Sequence, residues 1–129
     1  MAFTLGSRVF RDHSPLPSRY TSDGENVSPP LDWSGPPGGV EEYALICECP
    51  QQPLPRPFVH WLIYGIQPNI SQLPEGINQD EEIEIPILAR QGLNSWMKIG
   101  YTGPSPSPGD PPLHYFFRLF ALLPELRLA

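Results

Sequence analysis

Two cysteines, no run of basic residues and no long apolar stretch are the sparse features of this 129-residue chain, and each removes a class of protein. Eight Lys and Arg against fourteen Asp and Glu give a formal charge of −6. The basic residues are dispersed, so the electropositive footprint that nucleic acid requires is missing. No segment approaches the roughly 20 consecutive apolar residues of a membrane-spanning helix. Met1 to Arg11 has no apolar core behind a basic start, so no secretory signal is expected and a cytoplasmic location is. Cys47 and Cys49 lie two apart, on one face of any strand that carries them, a poor geometry for pairing with each other. They read as two reduced, partly buried thiols.

What the chain has in excess is proline. Nineteen prolines and eleven glycines accompany a 40% hydrophobic content. The apolar residues fall in coherent runs, which argues against disorder. Proline at this density excludes long helices and favours short strands joined by structured loops. No repeat or domain boundary is visible, so residues 1–129 are expected to form a single domain. Strands are expected over Tyr43–Cys49, Phe58–Ile66, Glu82–Ala89 and Tyr115–Leu123, each rich in apolar residues and bounded by Pro or Gly. Phe58–Ile66 is apolar on both faces except at His60, as a strand in the middle of a sandwich would be. The expected fold is all-β: an antiparallel Greek-key sandwich with long Pro-rich loops and little helix. The loops Pro50–Pro57 and Gly100–Pro112 are long enough to imply that they build a site.

Chemistry concentrates at two histidines. His60 sits inside an otherwise apolar strand, where burial demands a hydrogen-bond partner. The plain reading is a core histidine bonded to backbone; the functional one is an imidazole at the floor of an anion pocket. His114, beside Tyr115, opens the last strand after the second Pro-rich loop. Histidines and a phenol around a small cavity offer N–H and O–H donors suited to phosphate or carboxylate. The acidic group Asp80, Glu81, Glu82 and Glu84, near Glu75, reads as a solvated face, because the spacing of a calcium loop is absent. Zinc at Cys47, Cys49, His60 and His114 is disfavoured by the Cys-x-Cys spacing. A Cys49–His60 nucleophile pair lacks an evident third group to orient it, so no enzyme activity is expected. No cofactor is called for.

The segment Tyr20-Thr-Ser-Asp-Gly-Glu-Asn-Val-Ser-Pro-Pro-Leu-Asp-Trp33 has the turn composition of a rigid surface loop rather than a helix or a regular strand. It closely resembles the signature segment of the phosphatidylethanolamine-binding protein family, in its bacterial and archaeal Raf-kinase-inhibitor-like branch. Three further stretches follow in the family's order. Phe58–Ile66 resembles its histidine-bearing central strand. Gly92-Leu93-Asn94-Ser95-Trp96 with Gly100-Tyr101-Thr102-Gly103-Pro104-Ser105-Pro106 resembles its Gly-x-Asn-(Asp/Ser)-(Phe/Trp) and Gly-Tyr-x-Gly-Pro-x-Pro motifs. His114–Leu119 resembles the strand after them. The resemblance implies a β-sandwich with a small pocket for phosphate or a phospholipid headgroup, and a regulator that inhibits a kinase or protease through protein contacts. The pocket residues it implies are His60, Tyr115 and His114, walled by Phe58, Pro53 and Gly103.

Three departures accompany the resemblance. Where the family carries Asp-Pro-Asp-x-Pro, this chain has Cys49-Pro50-Gln51-Gln52-Pro53, so Cys49 and Gln51 replace both acids of the pocket. That loss weakens recognition of an ammonium and removes repulsion toward an anion. In the last strand, Leu113 falls where the family has its pocket histidine and His114 where it has an arginine. A bulge, or the Pro111-Pro112 turn, must absorb one residue to bring His114 to the pocket. The family also continues into a C-terminal helix that packs over the pocket, whereas this sequence stops at Ala129. An apolar patch left uncovered there is expected to drive homodimerisation. A structural or interaction module with a degenerate pocket is the alternative function.

Overall fold

A computed structural model describes residues 3–12, 14–49, 58–84, 87–103 and 115–123. Within them the protein is built of antiparallel strands with one short 3-10 turn at Ser18–Tyr20, and no helix is long and apolar enough to cross a membrane. β1 (Thr4–Gly6), β2 (Leu31–Ser34) and β5 (Gln72–Leu73) form a three-stranded sheet in the order β1-β2-β5. β3 (Glu42–Cys49), β4 (Phe58–Ile66), β6 (Glu82–Ile83), β7 (Ala89–Gln91) and β8 (Phe116–Leu122) form a second sheet in the order β6-β7-β4-β3-β8. The last strand thus returns beside the first strand of its sheet, an order compatible with the expected Greek-key link.

The core lies between the sheets. β3 alternates strictly, with Tyr43, Leu45, Cys47 and Cys49 buried, so one face of the strand points inward throughout. Leu31 and Trp33 of β2 and Leu73 of β5 meet that face, and the Trp33 and Tyr43 rings pack across the gap at 5.2 Å. Trp61 and Ile63 of β4 complete the centre without solvent exposure. β4, apolar on both faces, is interior to its sheet, held by β3 on one side and β7 on the other.

Several expectations are corrected. The strand expected over Glu82–Ala89 is two short strands, β6 and β7, paired Glu82↔Arg90 and Ile83↔Ala89. Ile83 is buried between the exposed Glu82 and Glu84, and β6 ends at Ile83; Ile85, which extends the apolar-polar alternation in the sequence, lies outside the described residues. The segment Tyr20–Trp33 is not wholly a loop: Leu31–Trp33 belongs to β2, whose buried-exposed alternation is too short to stand out beside Pro29-Pro30. β1 and β5, of three and two residues, carry too little periodicity to be read from sequence. The last strand begins at Phe116 rather than Tyr115.

β4 departs twice from regular pairing with β3. Tyr43 pairs with Ile66 but Leu45 with Ile63, so β4 has one residue more than β3 between those pairs, near Gly65. Gly65 adopts φ +69, the left-handed region open to a residue without Cβ. The second extra residue is His60, between the pairs Cys47↔Trp61 and Glu48↔Val59.

Beneath β4, the indole N–H of Trp61 donates to Gln91 Oε1 at 2.7 Å, and Gln91 Nε2 donates to the carbonyls of Asn78 and Asp80 at 2.6 and 2.9 Å. Gln91 is 1% exposed, and its bond to the Trp61 indole is buried away from water, whereas the Asn78 and Asp80 carbonyls are only partly covered. Replacement by Leu at nearly equal volume orphans the indole and both carbonyls. Gln91→Leu is expected to cost about 2–4 kcal/mol of stability, read as a lower urea midpoint at unchanged slope. A variant within about 0.5 kcal/mol of the parent would show that the network is dispensable.

Candidate functional site

The site forms at the end of β4 because of its extra residue. Phe58 pairs with Cys49 and faces the core side, Val59 pairs with Glu48 and faces away, and Trp61 pairs with Cys47 and faces in again. A regular strand would alternate. The bulge at His60 instead lets Phe58, His60 and Trp61 share one side, and burial records this as two successive buried residues, His60 and Trp61.

Two loops then close on the imidazole. The turn after β7 is fastened to β4 by Ser95, whose N–H donates to the Val59 carbonyl at 2.8 Å and whose hydroxyl accepts from the Val59 N–H at 2.7 Å. Asn94 shapes that turn from within. Its Oδ1 accepts from the N–H groups of Trp96 and Lys98, while Nδ2 donates to the Gly100 carbonyl and the Thr102 hydroxyl. All its hydrogen-bonding groups are thereby used, which stiffens the loop that presents Trp96. The next segment crosses the bulge, where Thr102 N–H donates to the His60 carbonyl at 3.1 Å and the Thr102 carbonyl accepts from His60 Nδ1 at 3.0 Å.

Behind Thr102 stands the segment 20–26. Tyr101 donates its phenol to the Tyr20 carbonyl at 2.6 Å, and Gly103 N–H donates to Asn26 Oδ1 at 2.7 Å. A Cβ on Gly103 would lie 2.1 Å from the Tyr20 carbonyl oxygen, so only glycine fits this approach. The signature stretch near the N-terminus therefore acts as the buttress that holds the Thr102 carbonyl under His60.

Aromatic rings surround the imidazole. Phe58 lies 5.3 Å from it, Trp96 5.1 Å and Tyr115 5.5 Å, the last edge-on, and Phe58 and Trp96 meet edge-on at 4.5 Å. Tyr115 precedes Phe116, the partner of Glu48, and so comes opposite Cys49. Of the expected site residues, the structure brings together His60, Phe58, Tyr115 and Cys49. Gly103 packs against Tyr20 and Asn26, one residue beyond Thr102. His114, Gln51 and Pro53 lie outside the described residues. Trp96 was missed as a ring of the site, although it closes the motif Gly92–Trp96. Thr102 was missed as well, and no side-chain pattern marks a residue that acts through its carbonyl.

Among the described residues the groups around His60 are neutral. Desolvation pushes the His60 pKa below the ordinary histidine value, partly offset by the Thr102 carbonyl. Burial pushes the Cys49, Cys47, Tyr115 and Tyr101 groups up, so thiols and phenols stay protonated at neutral pH. Among the described residues no group bonds to His60 Nε2, although that atom is buried. A buried polar atom without a partner costs about 1–3 kcal/mol, which a bound ligand would recover.

The comparisons agree with this architecture. The family model described as phosphatidylethanolamine-binding protein matches residues 6–128. The chain belongs to the phosphatidylethanolamine-binding protein family. It is 44% identical over 119 residues to a UPF0098 protein of Methanothermobacter thermautotrophicus, covering 92% of this chain and 75% of that one. With a UPF0098 protein of Pyrococcus horikoshii the identity is 36%, over 95% of this chain and 61% of the relative. Both relatives are longer than the sequence described here. Escherichia coli YbcL, a solved member of the family, superposes with a TM-score of 0.84 at 30% identity, over 93% of this chain and 76% of that chain. A putative family homologue from Chlamydia trachomatis gives 0.78 at 34% identity, over 94% and 75%.

The depressed His60 pKa fixes the sign of a pH effect. The unfolded chain takes up this proton near the ordinary value of 6.5, before the folded protein does. Stability is therefore expected to fall as pH drops through that value, until the lower native pKa is passed. His60→Gln is expected to remove this component from the difference between pH-dependent denaturation curves. An NMR titration that placed native His60 at or above the ordinary value would overturn the assignment.

Proposed function

We propose that this chain is a binding protein for a small anion, phosphate or a phosphorylated headgroup, with its pocket at His60. The observation that carries the reading is the buried Nε2, without a partner among the described residues, between the Phe58, Trp96 and Tyr115 rings. The loss of the family's acids at Cys49 and Gln51 favours an anion there, by removing charge repulsion. A regulatory role in which the loaded site inhibits a kinase or protease fits the family's implied mode of action. Catalysis through Cys49 is disfavoured, because burial holds its thiol in the unreactive protonated form. A structural module with a dead pocket is the competing reading, favoured by the same substitutions at Cys49 and Gln51.

Thermal unfolding separates the two. At about pH 6.5, millimolar phosphate or phosphoethanolamine is expected to raise the melting point, since a ligand at about 100 times its Kd adds about 2.7 kcal/mol. His60→Ala is expected to lose the rise. A wild-type protein whose melting point ignores both ligands would identify the pocket as dead.

A second copy of the chain is the proposed partner at the other face of the sheet. Among the described residues β8 is an edge strand, and Phe116, Phe120 and Leu122 are 42%, 44% and 38% exposed along its outer side. Phe120 sits beside Ala44 of β3, which continues the apolar surface across the sheet. Such a stripe on an edge strand favours self-association. Light scattering is expected to give a dimer mass that Phe120→Glu reduces to the monomer; a monomer mass for the unaltered protein at high concentration would refute this interface.

A further inference from the structure

The tautomer of His60 is fixed by its neighbour. A backbone carbonyl only accepts, so the contact of 3.0 Å between Nδ1 and the Thr102 oxygen requires the proton to sit on Nδ1. Nε2 of the neutral ring is then a bare lone pair, and it is the buried atom that has no partner among the described residues. A neutral His60 thus presents an acceptor to the pocket, not the donor an unprotonated anion needs.

We infer that the site selects oxyanions that carry their own O–H, the P–OH of inorganic phosphate or of a singly protonated phosphomonoester, and rejects sulfate and phosphodiesters until His60 itself is protonated. This rests on the proposed anion site and names its ligand class. Inorganic phosphate keeps at least one P–OH throughout the neutral range and donates it to Nε2. Phosphomonoesters keep theirs only below a second pKa of about 6. Sulfate has the same shape and charge but no proton, so its oxygen lone pairs would face that of Nε2. The complex gains no bond there and leaves the nitrogen desolvated, an asymmetry worth about 10- to 100-fold in affinity.

Among the described residues no neighbouring charge masks the effect. On β4 the flanking side chains are Phe58 and Trp61, and on the adjoining turn Trp96. Tyr101 beside Thr102, Tyr115 ahead of β8, and Cys47 and Cys49 of β3 are all kept neutral by burial. Lys98 is exposed on the turn. Glu48 and Arg118 lie on the other face of the sheet and pair with each other at 2.6 Å. The choice between acceptor and donor at Nε2 therefore follows the protonation of His60 alone among the described groups.

Isothermal titration with inorganic phosphate, sulfate, phosphoethanolamine and glycerophosphoethanolamine tests this at two pH values. At about pH 7.5 phosphate is expected to bind about 10- to 100-fold more tightly than sulfate or the diester, with phosphoethanolamine between them. Toward about pH 5.5 the affinity for sulfate and the diester is expected to climb about tenfold per unit until His60 is charged, closing the gap. Equal affinities for phosphate and sulfate at the higher pH would overturn the inference and leave the anion site standing. Failure of all four ligands at both pH values would take down the site, and the inference with it. Diester binding at the higher pH as tight as that of phosphate would point instead to an intact lipid headgroup as the source. His60→Gln, whose amide donates to either anion, is expected to abolish the discrimination; its persistence would assign selectivity elsewhere. The nitrogen-15 shifts of His60 in the unaltered protein supply an independent check, since a protonated Nε2 in the neutral ring would refute the inference without any variant.

Discussion

One extra residue in one strand governs the end of the sandwich where the site lies. Were β4 regular beyond Trp61, His60 would fall on the face opposite Trp61 and Phe58 would follow the wrong parity. The bulge rotates His60 inward while the ladder to β3 resumes at Val59 and Phe58. The cost is a stretch of backbone without its usual partner. Thr102 meets that need, donating to the His60 carbonyl and accepting from the ring of the same residue. The bulge, the loop across it and the imidazole orientation are joined through the same two Thr102 bonds.

That arrangement explains why distant stretches of sequence matter to one atom. Thr102 is held by Gly103 and Tyr101, which are held by Asn26 and Tyr20. Trp96 is held by Asn94 and Ser95, which are held by Gly100 and Val59. Among the described residues, His60, Phe58, Trp96 and Tyr115 bring their rings together at the site. The supporting residues Asn26, Asn94, Ser95, Tyr101, Thr102 and Gly103 act largely through hydrogen bonds that involve backbone groups.

The long strands were legible because their signal is strong. β3 and β4 carry eight and nine residues with clear apolar content, and β4 announced its central place by being apolar on both faces. β1, β5 and β6 have only two or three residues, and a period of two cannot be recognised in so short a run. His60 was legible as a polar residue in an apolar strand. Its bulge was not, because an insertion is defined by the register of the partner strand, which no single segment contains. Trp96 looked like any aromatic in a turn until the fold carried it across to β4.

Asn94 followed by Ser95 is a pair with a chemical liability, since an Asn side-chain amide is attacked by the following backbone nitrogen to close a succinimide ring and lose ammonia. That reaction needs a mobile backbone and an available nitrogen. Here Ser95 donates its N–H to Val59, and Asn94 is 3% exposed with its amide committed to four partners. The bonds that present Trp96 to the pocket therefore also protect the loop against chemical ageing, and the lifetime of the site is tied to the integrity of its frame.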